Sequence, residues 1–200
     1  KGTTYALDNS FASGGTTAVT NSGLLTKNAT GAVTSTGAFS TTGAASLAAD
    51  VTTTNTNLTI GGNLTLAEAA TVTLSTGAGA GNVLLSGTAD GTGGGVAETL
   101  TLQAGTGSAT FSGALGTGDA LKLNAVTITN AAVTDFAAVN LAGALTQTNA
   151  ATAGTTFNGT VQVGSADLKG TTYALDNSFA SGGTTAFTNS GLLTKNATGA

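Results

Sequence analysis

The sequence predicts an all-β fold, a right-handed parallel β-helix (β-solenoid) wound in triangular coils of about 19 residues. Three observations predict it. Short runs with period-two alternation return every six or seven residues, and one gapless repeat places two such runs a full coil apart. Asn-Gly or Asp-Gly hairpin turns do not recur at regular places. "AVTITNAA" (125–132) aligns with "ALTQTNAA" (144–151), and the inward positions between them are expected at Val126, Val133, Val139 and Leu145. "NLTI" (57–60) returns as "NLTL" (63–66) across Gly61-Gly62, and "TVTL" (71–74) follows at a similar distance.

Three strands per coil describe a chain that circles once and pairs each strand with its equivalent one coil away. The handedness follows from the preference of parallel connections. Inward Val, Leu, Ile and Ala fill a narrow tube, and outward Thr suits a pleated surface through its branched Cβ. Gly and Asn belong at corners, where tight turns take φ > 0. Asn130 and Asn149 are expected to form a ladder along one such corner. The Thr-x-Thr runs at 127–129 and 146–148 lie one coil apart and resemble the surface of ice-binding solenoids, which makes ice binding a remote alternative.

A longer period encloses the short one. Residues 1–32 return at 169–200 with Val19 replaced by Phe187 and no other change. The offset of 168 residues holds throughout, so the expected organisation is one complete tandem unit, 1–168, and the start of the next, 169–200, continuous with the first. About nine coils fill such a unit, giving a rise of roughly 43 Å at the ~4.8 Å strand spacing. Because a tight core resists the exchange of Val for Phe, position 19/187 is expected at a coil edge or on the outer face.

Composition excludes much chemistry. The 200 residues contain no Cys, His, Met, Trp, Pro or Arg. Disulfides and the usual transition-metal ligand sets are therefore missing. Five Lys against nine Asp and Glu offer no basic face, which argues against nucleic acid as a partner. The longest uncharged stretch, 136–166, is rich in Thr, Asn, Gln and Gly and is no membrane span. So few oxidisable residues suit an extracellular or cell-surface location.

No catalytic, cofactor-binding or metal-ligating residue is expected. Asp8, Asp50, Glu68, Asp90, Glu98, Asp119, Asp135 and Asp167 are scattered singly, without the paired spacing that acid–base chemistry needs. "GTADGTGGG" (87–95) lacks both the calcium nonapeptide pattern and the lysine of a phosphate loop, and reads as a corner or excursion. The sequons at Asn28, Asn57, Asn63, Asn158 and Asn196 are cheap matches in a chain rich in Asn and Thr.

In its strands punctuated by Thr, Gly and Asn, such as "SATFSGALGTGDALKLNAVTITN" and "TTFNGTVQVGSADLKG", the whole chain resembles bacterial surface β-strand-repeat proteins. These are the filamentous-haemagglutinin-like adhesins and autotransporter passengers. The resemblance implies secretion, a right-handed β-helical shaft, adhesive or structural work and no catalytic residue. The leading expectation is a structural extracellular filament or stalk of tandem repeats stacked end to end, with lateral bundling of fibres. The alternatives are an adhesin shaft with its tip elsewhere and an S-layer or donor-strand subunit.

Overall fold

The computed structural model describes residues 1–93 and 97–196, with backbone alone for 149–153. It is all-β: about nine stacked coils, of about 21 residues each, form a β-solenoid in which every strand pairing is parallel. Each coil crosses three faces, mostly as one strand of three to five residues per face. An isolated bridge at Leu115 stands in for one strand, and two longer strands, Ala144–Phe157 and Ser165–Leu175, each run over two faces.

The core is three columns of inward side chains, each nine coils deep. On the first face the column runs Tyr5, Leu25, Ala45, Leu64, Ala89, Leu115, Val139, Val161, Phe179. On the second it runs Phe11, Val33, Val51, Leu74, Leu102, Ile128, Gln147, Leu168, Phe187. On the third it runs Val19, Thr41, Ile60, Leu85, Phe111, Phe136, Phe157, Leu175, Lys195. Alternation explains the pattern: in Leu58–Ile60, Leu64–Leu66 and Thr71–Ser75, lying on the third, first and second faces in turn, Leu58, Ile60, Leu64, Leu66, Val72 and Leu74 are fully buried.

Val126 stacks on Leu145 as the sequence predicts, and Val139 is buried. Val133 is not an inward residue. The strand Val133–Phe136 turns Thr134 and Phe136 inward and leaves Val133 half-buried. A one-residue slip exchanges the two sides of a strand, and here the larger apolar gain belongs to Phe136, which stacks between Phe111 and Phe157.

The coils are longer on average than the short repeat predicts, because their corners vary, so a tandem unit holds fewer coils than expected. Val33 pairs with Val51 across a short coil, whereas Leu74 pairs with Leu102 across a much longer one. Corners at 77–81 and 116–124 take up the excess, the latter around the 3₁₀ turn Asp119–Leu121. Elsewhere the corners are too tight for side chains. A Cβ on Gly113 would lie 2.3 Å from the Gly87 carbonyl oxygen of the adjacent coil, so only glycine fits there.

Corner asparagines form a ladder ahead of the strands Leu58–Ile60 and Val83–Leu85. Asn57 Oδ1 accepts from the Asn82 amide at 3.0 Å, and Asn82 Oδ1 accepts from the Ser108 amide at 2.8 Å. The predicted ladder of Asn130 and Asn149 falls outside the described residues, because it rests on the side chain of Asn149.

Candidate functional site

The acids predicted to be isolated serve local contacts. Asp90 Oδ1 accepts from the Thr117 amide at 2.7 Å and from its hydroxyl, and Oδ2 accepts from the Thr88 hydroxyl. Asp90 thereby ties one corner to the next coil. The Glu98 side chain, fully buried, accepts from the Thr92 hydroxyl at 2.8 Å and from the Ala97 amide. Burial works against its charge, but these hydrogen bonds outweigh it and hold the carboxyl below its ordinary range. Of the glycine-rich run, residues 94–95 lie outside the described structure. Asp50 Oδ1 accepts from the Thr73 amide of the adjacent coil at 2.7 Å, and Asp119 is paired with Lys122 at 2.8 Å. Among the described residues, no three His, Cys, Asp or Glu gather closely enough to hold a metal. No helix among them is long and apolar enough to cross a membrane.

The outward threonines form one regular column: Thr73, Thr101, Thr127 and Thr146 occupy successive coils of the second face. The neighbouring column breaks the pattern with Ser75, Gln103 and Asn130.

The feature that stands apart is the end of the solenoid. In the first coil Tyr5, Leu7, Phe11 and Val19 point inward yet remain half-exposed, and with Leu25 and Phe39 they line an apolar cavity of about 220 Å³. The identical passage near the other end has a coil beneath it, and there the counterparts of Tyr5 and Leu7 are buried while those of Phe11 and Val19 stay half-exposed. Tyr173, the counterpart of Tyr5, is buried to 1% on Thr155, and Leu175, the counterpart of Leu7, stacks on Phe157. Phe179 meets Phe157 edge-on at 5.7 Å. One sequence is thus seen with and without its neighbouring coil, and the covering residues are Thr155, Phe157, Val161, Ala166 and Leu168.

Position 19/187 belongs to this end face, which corrects its expected outward placement. Val19 and Phe187 both point inward, and the Phe187 ring meets Tyr173 at 5.2 Å and Phe179 at 5.4 Å. The Phe187 ring lies edge-on to both of those rings, an aromatic packing that Val19, in register with Thr41, does not share.

Two features had no signal in the sequence. Lys27 occupies an inward position between Leu7 and Leu47 and is 1% exposed. Its Nζ donates to the carbonyls of Asn28 and Thr30 at 2.8 Å and of Leu7 at 3.3 Å, so the ammonium is satisfied by backbone alone. A second polar cluster joins Gln147 to Thr155 at 2.8 Å and to the Lys169 carbonyl at 3.0 Å.

Comparison with known proteins finds no matching family model, no matching curated protein and no matching solved structure.

Proposed function

We propose that this chain is a segment of an extracellular structural filament or stalk, built of tandem β-helical units and carrying no catalysis. One observation carries the reading: the half-exposed apolar end at Tyr5, Leu7, Phe11 and Val19 has the sequence of a surface that is covered, at 173–187, by the coil before it. A preceding copy of residues 155–168 supplies that cover, so units extend one another without a designed junction. Each coil's strand edges are then paired by the next, which removes the exposed edges that invite uncontrolled aggregation. The resemblance to bacterial surface β-strand-repeat proteins supports a cell-surface location. The low charge supports lateral bundling, since neighbouring shafts repel weakly.

Denaturing electrophoresis after complete unfolding tests the reading. Chains many times the mass of a 168-residue unit are expected. Bands at the mass of a single unit would mean separate subunits and favour a surface lattice instead.

A further inference from the structure

We propose that the 168-residue repeat is a unit of seven and two-thirds turns, so that successive units stack rotated by one face and every surface feature climbs the shaft on a three-step screw. The extension along a filament rests on the reading above; the offset is carried by this chain.

The two copies of the repeated passage do not occupy the same faces. Phe11 lies on the second face in the first coil, and its twin Phe179 lies on the first face in the ninth. Val19 is on the third face and Phe187 on the second. Tyr5 is on the first face and Tyr173 on the third. Leu25 is on the first face and Leu193 on the third. All four strands are displaced by the same amount, eight turns less one face. A whole number of turns would have returned each twin to its own face.

Such an offset is tolerated because the faces are interchangeable. Each presents a short strand with alternating inward residues and is bounded by tight corners, and backbone pairing is indifferent to which face it extends. Phe11 pairs onward to Val33 on one face, while Phe179 pairs back to Val161 on another.

The consequence is a defined surface array. The corner at 116–124, with its exposed 3₁₀ turn and its exposed Leu121, recurs about every 37 Å at ~4.8 Å per coil. Each recurrence lies one face further round. The same face returns after three units, a rise of about 110 Å. A second shaft packing alongside meets equivalent surfaces from three directions, so lateral assembly builds bundles rather than flat sheets.

The offset is tested in the 200-residue chain itself, which has no native cysteine. Gln162 and Ala180 are exposed partners on the first face. Asp167 is on the second face, where Ala180 would lie if the copies were in phase. The double variant Gln162→Cys with Ala180→Cys should close a disulfide on mild oxidation, and Asp167→Cys with Ala180→Cys should not. Closure of the second pair, or of neither, overturns the proposal; the circular dichroism of the reduced variants verifies that both fold. Filaments of the full chain carrying Leu121→Cys with gold labels should show three rows of marks by electron microscopy. A single straight row overturns the screw. Absence of filaments sinks the filament reading, while the disulfide result still decides the offset.

Discussion

Phe136 lies flat on Phe157, with ring centroids 5.0 Å apart and planes within 4°, and Phe111 stacks on its other side at 4.9 Å. All three are 1–2% exposed and stand in one column of the third face, so the rings tie three successive coils together. Few other side chains in this chain bury as much apolar surface. Stacked aromatic pairs add about 0.5–1.5 kcal/mol beyond their area.

Phe136→Ala should therefore lower the unfolding free energy by about 3–5 kcal/mol, as cavity-forming aromatic truncations do. Urea unfolding monitored by circular dichroism measures this. A loss below about 1 kcal/mol would show that the neighbouring rings collapse into the gap and that the stack contributes little.

The stack also marks where sequence reasoning stops. The parallel coil, the three strands per turn and the burial of Val126, Val139 and Leu145 are legible because alternation and Gly/Asn punctuation are local signals. The phase of Val133–Phe136 is not, since "VTDF" offers an apolar residue on each side of the strand and only the rings above and below decide between them. Lys27 is illegible for a similar reason. A lysine reads as exposed, and three carbonyls converging from a corner are known only once the corner is built. The end face is half legible. The repeat locates it, while the exchange of faces depends on coil lengths that run from the short Val33-to-Val51 coil to the long Leu74-to-Leu102 one.

Lys27→Met tests the buried ammonium. The methionine stem replaces the aliphatic packing but removes the three charge-assisted hydrogen bonds to the carbonyls of Leu7, Asn28 and Thr30, each worth about 1.5–3 kcal/mol. A net loss of about 2–4 kcal/mol is expected in urea unfolding, larger than for Lys122→Met at the exposed Asp119 pair. An unchanged midpoint would show that the carbonyls find water instead.

Backbone strain offers a stabilising change. Ala69 is exposed and sits at φ 57°, in the left-handed region that costs a residue with a Cβ about 1–2 kcal/mol. Ala69→Gly should raise the thermal midpoint, the relief being partly offset by the greater entropy of glycine in the unfolded chain. Gly113→Ala should lower it, because the new methyl would press on the Gly87 carbonyl of the adjacent coil. Calorimetry on the pair checks both signs, and a fall for Ala69→Gly would refute the strain argument.

Tyr173 gives a pH signature. Its hydroxyl is buried and has no hydrogen-bond partner among the described residues. Burial, with the charge of Asp167 adding to it, pushes the phenol up from 10.0 to about 12. Between those values the unfolded chain releases a proton that the folded chain retains, so unfolding gains free energy as pH rises. The contribution of this group is therefore complete below pH 10 and lost by the time pH passes about 12. Tyr173→Phe removes the titration and an unpaired buried hydroxyl together. At pH 7 the variant should be as stable as the parent or slightly more so, and between pH 10 and 12 its stability should fall less steeply. Urea midpoints for both proteins across that window decide it; parallel pH profiles would mean that the phenolate is accommodated as readily in the folded chain as in the unfolded one.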